Sequence, residues 1–397
     1  MVLLSCAAAD CVKTFDLTTE ELRLHHSIGA LNAEVTCVRY NHNGKILATS
    51  GVDGGICLNV ASSGELLSRF FYPAKNLTER RVNSVHFSSG SRFLVSGSHD
   101  GCVRIWDLKT QEVKQAYSVS ASPVTAVTFS GFKDEHVVAG SECGALSIYD
   151  VRTSENAGFL TVDPRFGVSK VMAIQASPHP AAPHAVGATY ADGSVRLWDL
   201  NAGQLAAEFV QQHEAAATAL AISPVSKVLL ATGGLDRRVL FYDTLQRKEL
   251  RCIESDHPVT ALSLCADGKT LAVGQSNGDI VIYDLRGSIS PMFCATVHDT
   301  AMINALQFAS PDTTTMNTTG ATAGQPPGNN EQLSPPKAEY VHDLAMRKLQ
   351  SFHIGAPPPV PVVATSQDGN ALSPSKDAHM TSPSELCVWM IRSHVLN

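Results

Sequence analysis

The sequence predicts an all-β chain folded as a β-propeller of seven blades with a disordered insertion near the C-terminus, and three observations carry that prediction. An apolar run that ends in an aromatic residue followed by Asp recurs at Phe15-Asp16, Trp106-Asp107, Tyr149-Asp150, Trp198-Asp199, Tyr242-Asp243 and Tyr283-Asp284, with degenerate copies at Asn59-Val60 and Trp389-Met390. From Phe15 to Tyr283 the steps are 44, 47, 43, 49, 44 and 41 residues, close to the roughly 40 to 45 of a one-blade repeat. Upstream of these dipeptides lie turns rich in Gly and Asp, such as Ser98-His-Asp-Gly101, Tyr190-Ala-Asp-Gly193, Gly234-Leu-Asp236 and Ser276-Asn-Gly278. Further upstream is a short alternating run, as in Val35-Thr-Cys-Val38, Val82-Asn-Ser-Val85, Val124-Thr-Ala-Val127 and Val259-Thr-Ala-Leu262.

Each piece has a physical reason. Asp and Gly tolerate positive φ, so a turn built from them between two alternating runs closes a β-hairpin. The strand before that turn is small and branched (Phe93-Leu-Val-Ser96, Val228-Leu-Leu-Ala231, Thr270-Leu-Ala-Val273). With an outer run after each aromatic-Asp pair, the repeat holds four strands, which is one blade. Closure has two readings. In the preferred one, Ile303 to Phe308 joins three strands supplied by residues 1–27 and completes the seventh blade, which removes the sheet edges. Val362 to Gly369 and Glu385 to Ile391 are then surplus, whereas the other reading exchanges them for the N-terminal strands. The expected organisation is a propeller over 1–309, an insertion over 310–361 and C-terminal strands over 362–397 that pack on or close the ring.

The insertion opens on Thr- and Asn-rich sequence and closes on Pro357-Pro-Pro-Val-Pro361; such composition buries too little apolar surface to offset the entropy of ordering. Within it, residues 338–352 form an amphipathic pattern in which Val341, Leu344, Leu349 and Phe352 share one helical face, with Pro335 and Pro336 before it and Gly355 after. That helix either packs on the propeller or docks in a partner's groove. Ser310, Ser334, Ser373 and Ser382 each precede proline and are candidate phosphorylation sites.

Composition narrows the function. Acids outnumber bases 37 to 30, giving a net charge of -7, which argues against the basic face that nucleic acid requires. The ten cysteines form no C-x-x-C pair and read as small buried thiols in a reducing compartment, so neither a metal nor a cofactor is expected. The apolar start lacks the basic region and the length of a signal peptide, and no apolar run reaches membrane-spanning length, so a soluble cytoplasmic protein is expected. No nucleophile elbow, phosphate loop or H-E-x-x-H motif occurs, so neither catalysis nor a small-molecule substrate is expected.

The repeat resembles the WD40 family over nearly the whole chain. That resemblance implies a hydrogen-bonded brace in each blade, made by an Asp in the second hairpin turn, a His before the first strand, a Ser or Thr on the second strand, and the Trp. Asp53, Asp100, Asp192 and Asp236 match the Asp, His213, His257 and His298 the His, and Trp106 and Trp198 the Trp. Their expected role is structural, because a buried polar network that stiffens a blade accounts for them.

Within that family, the stretch from Ile222 through Gly233-Gly-Leu-Asp-Arg-Arg-Val-Leu-Phe-Tyr-Asp243, Asp267-Gly-Lys-Thr-Leu-Ala-Val-Gly274 and Ile282-Tyr-Asp-Leu-Arg286 resembles the propeller of the γ-tubulin ring complex targeting factor, the Nedd-one family. The resemblance implies a scaffold that places γ-tubulin complexes at centrosomes, basal bodies or spindle microtubules, with γ-tubulin complex subunits as partners. In that family a long C-terminal helical region makes the γ-tubulin contact; the present sequence ends at Asn397, and the helix at 338–352 is its one candidate stand-in. The alternative role is substrate recruitment to a cullin-4 RING ubiquitin ligase. Ile148-Tyr-Asp-Val-Arg152 and Ile282-Tyr-Asp-Leu-Arg286 resemble the W-D-x-R box that meets the ligase adaptor, with Tyr in place of Trp, so Arg152 and Arg286 are either adaptor contacts or partners of a nearby acid.

Overall fold

The alternating runs become strands and the Gly/Asp turns become hairpins. The computed structural model describes residues 2–310 apart from 19–20, 30–32, 72–77, 120, 132, 161–168, 288–289 and 299–300. In these residues the strands assemble into seven four-stranded antiparallel sheets, the blades. Blade one is Val35–Tyr40, Ile46–Gly51, Gly55–Val60 and Leu66–Phe71; blade two is Val82–Phe87, Phe93–Ser98, Cys102–Asp107 and Glu112–Ser118. Blade three is Val124–Ser130, His136–Ser141, Leu146–Asp150 and Asn156–Leu160; blade four is Val171–Ala176, Ala185–Tyr190, Val195–Asp199 and Gln204–Phe209. Blade five is Ala217–Ile222, Leu229–Gly234, Arg238–Asp243 and Lys248–Glu254; blade six is Val259–Leu264, Thr270–Gln275, Asp279–Asp284 and Phe293–Thr296. The first strand of each blade lies innermost, and these strands contact one another in a closed ring.

Blade seven joins the two ends of the ring. Ile303–Phe308 is its inner strand and pairs with Val2–Ala8, which pairs with Cys11–Leu17 and then Leu22–Ile28. This is the preferred closure, with Val2–Ala8 and Cys11–Leu17 as the second and third strands of the blade. Residues 362–391 and the 338–352 pattern lie outside the described residues.

The aromatic position of the repeat holds neighbouring blades together. Trp106 packs on Phe70 of the preceding blade's outer strand with ring centroids 5.6 Å apart, Tyr149 on Tyr117 at 4.4 Å and Tyr242 on Phe209 at 4.3 Å. Such aromatic pairs add about 0.5 to 1.5 kcal/mol beyond area burial. The Asp that follows caps the next turn: Asp107 accepts from the Lys109 N–H at 2.9 Å, Asp199 from Asn201 at 2.9 Å and Asp243 from Leu245 at 2.9 Å. In blade one, Asn59 takes the aromatic place, is buried, and donates from Nδ2 to the Gly64 carbonyl at 3.0 Å.

Blade contact also explains a recurrent glycine in the second strand. A Cβ on Gly97 would stand 2.6 Å from Val124 Cγ1, one on Gly140 2.6 Å from Val171 Cγ1 and one on Gly233 2.5 Å from Val259 Cγ1, in each case on the next blade's inner strand. The methyl of Gly97→Ala would overlap Val124 and Val127; overpacking of this kind costs about 1 to 3 kcal/mol. Urea unfolding of Gly97→Ala should therefore show a lower midpoint with an unchanged m-value, and an unchanged midpoint would refute the close-contact account.

Two side-chain belts finish the ring. Near the start of the inner strands, Thr36 donates to the Val82 carbonyl, Asn83 to Val124 at 2.7 Å, Thr218 to Val259 at 2.6 Å and Asn304 to Val35 at 2.8 Å, each reaching the next blade. Near the strand ends, Gln307 accepts from the Tyr40 N–H at 2.8 Å, Gln175 from Ile222 at 3.0 Å and Ser263 from Phe308 at 3.0 Å. Cys6, Cys11, Cys37, Cys57, Cys102, Cys252, Cys265 and Cys294 are free.

Candidate functional site

The structure draws the predicted brace residues into sets that differ from blade to blade. Blade five has the full set. The buried His213 places Nδ1 3.0 Å from both carboxylate oxygens of Asp236 and Nε2 2.8 Å from the Thr232 hydroxyl. A carboxylate only accepts, so Nδ1 carries a proton. Asp236 also accepts from the backbone N–H of Glu214 at 3.1 Å and of Arg238 at 3.2 Å, which locks the turn.

In blade two the Trp half of the brace forms, with Trp106 Nε1 donating to Ser96 Oγ at 2.8 Å. No His stands in the ten residues before the inner strand, and Asp100 is met by Arg104 of its own sheet, by the Ser98 hydroxyl at 2.5 Å and by the Cys102 N–H at 3.0 Å. Burial pushes the Asp100 carboxyl up, but hydrogen bonds from Arg104 and Ser98 and the Arg104 charge outweigh it, leaving the pKa below its ordinary value. A depressed folded pKa gives stability that is complete above the unfolded value of about 3.9 and is lost as pH falls through the folded value. Acid unfolding of the wild type should thus be steeper below about pH 4 than that of Asp100→Asn, which has no carboxylate there to protonate. Parallel acid curves would show that the pair carries no linkage.

The remaining sets are partial. Asp53 accepts from the Gly55 N–H at 2.9 Å and from Arg69 at 3.1 Å, and Asp192 from the Ser194 N–H at 2.9 Å. Trp198 is buried, but Ala188 occupies the register position that Ser96 holds in blade two, so its indole N–H meets no hydroxyl there. In blade six, Val273 and Asn277 replace Thr232 and Asp236, and His257 stays exposed. His298 is buried in blade seven with Nδ1 3.7 Å from Cys11 Sγ, while Asp10 at that blade's turn is exposed. Sequence reasoning missed Arg104 and its counterpart Arg196, which donates to Glu208 at 2.7 Å and lies 4.4 Å from the Tyr190 ring centroid. The signal was present in Val103-Arg-Ile-Trp-Asp107 and Val195-Arg-Leu-Trp-Asp199, where Arg sits two residues before Trp.

The comparisons also find the WD repeat and a β-propeller in this chain. Residues 22–58 and 71–107 match the WD domain, G-beta repeat family, and 178–323 match the N-terminal domain of nucleolar protein 10-like proteins, a β-propeller. The chain carries WD40 repeats, and its seven sheets make a β-propeller. It is similar to human protein NEDD1, with 33% identity over 232 residues that make up 58% of this chain and 34% of the relative. The mouse NEDD1 is 30% identical over 232 residues, again 58% of this chain and 34% of the relative. The U3 small nucleolar RNA-associated protein 15 homolog of Xenopus laevis is 26% identical over 243 residues, 61% of this chain and 44% of the relative. The chain thus spans about a third of the length of the NEDD1 proteins it matches.

Within this WD40 frame, both box arginines are held by acids. Arg152 pairs with Glu135 at 3.1 Å, and Arg286 doubles back on Asp284 at 2.7 Å, where its hydrogen bonds pull the carboxyl down to about 2. Nothing in that geometry favours an adaptor contact over these local pairs. Ser310 is exposed just past the last inner strand, whereas Ser334, Ser373, Ser382, Val341, Leu344, Leu349 and Phe352 lie outside the described residues. Among the described residues no group of three or more His, Cys, Asp or Glu side chains is placed to hold a metal ion, and no helix is long and apolar enough to cross a membrane.

Proposed function

We propose that the protein is a non-catalytic interaction scaffold whose propeller places γ-tubulin complexes at the centrosome, basal body or spindle, where microtubules are nucleated. The observation that carries this reading is the 33% identity to human NEDD1 over 232 residues, together with the resemblance of Ile222 to Arg286 to the Nedd-one propeller. Physical chemistry is compatible with it. Most of the polar residues singled out by the repeat are occupied in bracing blades, capping turns or linking inner strands, and on this reading the ring acts by presenting its faces. The partners on this reading are proteins, γ-tubulin complex subunits or factors that carry them.

The test is localisation and loss of function. Fluorescently tagged protein should concentrate at microtubule-organising centres, and its depletion should slow microtubule regrowth after cold depolymerisation. Tagged protein diffuse through the cytosol at every cell-cycle stage, with regrowth unchanged on depletion, would refute the proposal.

A further inference from the structure

The axis of the propeller encloses a cavity of about 340 Å³ walled by the seven inner strands. Its lining contains one guanidinium, Arg39, and among the described residues no Asp or Glu. Arg39 stands at the fifth position of its inner strand, the position from which Gln307, Gln175 and Ser263 each accept the N–H of the next blade. A guanidinium only donates, so Arg39 can do nothing for the corresponding Phe87 N–H. Its one hydrogen bond among the described residues is a long one of its own, from Nη1 to the Val38 carbonyl at 3.4 Å.

The next blade repeats the anomaly at the same level. His86 also lines the cavity, and its Nδ1 lies out of water with no hydrogen-bond partner. Burial and the charge of Arg39 hold the imidazole down at about 4, so near neutrality the cation at this level is Arg39. A half-buried cation without a counter-charge is costly, and the cost is relieved when an anion arrives. The guanidinium fork matches a carboxylate or phosphate in bidentate geometry. Past the ends of the inner strands the same lining continues through the small apolar residues Pro178, Pro224, Ala266 and Ala309.

We propose that the Arg39 end of the channel is an oxyanion site that seats a carboxylate side chain of a bound protein. This deepens the scaffold reading and rests on it, since it names the chemistry by which the ring takes hold of one partner.

The probe is an acetylated, amidated hexaglutamate peptide titrated calorimetrically into the full chain, with hexalysine and inorganic phosphate as comparison arms. The variant is Arg39→Gln, which supplies the acceptor that Gln307 and Gln175 supply in other blades and so should fold. Arg39→Lys keeps the charge and removes the fork, and Arg23→Gln, on the outer strand of blade seven, controls for net charge. Hexaglutamate should bind the wild type and Arg23→Gln alike and lose about tenfold or more in affinity with Arg39→Gln, with Arg39→Lys between them. Hexalysine should not bind. Equal affinity for wild type and Arg39→Gln, or binding of neither hexaglutamate nor phosphate, overturns the site. Phosphate binding without peptide binding overturns the protein carboxylate as its source and leaves a free-anion site. Because the assay uses purified protein and a generic peptide, a failure of centrosomal localisation leaves its outcome untouched.

Discussion

Changing His213 to Ala should destabilise the propeller by about 3 kcal/mol, whereas the same change at His257, which precedes its inner strand by two residues where His213 precedes its own by four, should cost under about 0.5 kcal/mol. His213 is buried with both ring nitrogens bonded, and its loss leaves the buried Asp236 carboxylate with two backbone donors but no imidazole. Removing the imidazole donor from a buried carboxylate leaves that carboxylate under-satisfied, and this penalty exceeds the net value of the hydrogen bond itself. His257 is exposed beside a strand that offers Val273 and a turn that offers Asn277, so there is no network to break. Urea midpoints at constant m-value measure both changes. Equal shifts for the two variants would show that the blade-five network carries no special weight.

Deleting residues 1–17 should abolish the folded state. The deletion removes the second and third strands of blade seven, with Leu4, Cys6, Ala7, Ala8, Val12 and Phe15 all buried, and Ser5, whose hydroxyl is 2.6 Å from the Tyr40 hydroxyl of blade one. The inner strand Ile303–Phe308 would then lose its partner Val2–Ala8, and the outer strand Leu22–Ile28 would lose Cys11–Leu17. Two sheet edges would open and blades six and one would be joined only through the single strand Ile303–Phe308, a loss beyond the roughly 5 to 15 kcal/mol margin of a domain. The expected result is insoluble protein, or soluble protein with no cooperative thermal melt. A soluble deletion chain that melts cooperatively would mean that another segment supplies those strands.

Much of the propeller was legible along the chain because its determinants are local. The Asp after each aromatic caps a turn two residues away, as Asp199 does for Asn201, and strand alternation has a period of two, so both are visible in a short window. The brace was only partly legible. Asp236 and Asp192 look alike in sequence, yet one holds a buried imidazole and the other only its own turn. The difference lies in whether a hydroxyl such as Thr232 occupies the right register and a His reaches it from 19 residues away.

By itself, then, the sequence determined the repeat, the blade count and the aromatic and Asp positions, since each follows from periodicity and turn chemistry within one blade. The tertiary structure decided what happens between blades: that Ile303–Phe308 closes on Val2–Ala8, that Gly97 and Gly233 lack a side chain because the next blade's valines come within 3 Å of where a Cβ would be, and that Arg39 stands among Gln and Ser residues that accept where it can only donate. Those contacts join residues that the chain brings together only when the ring closes, so no local pattern records them.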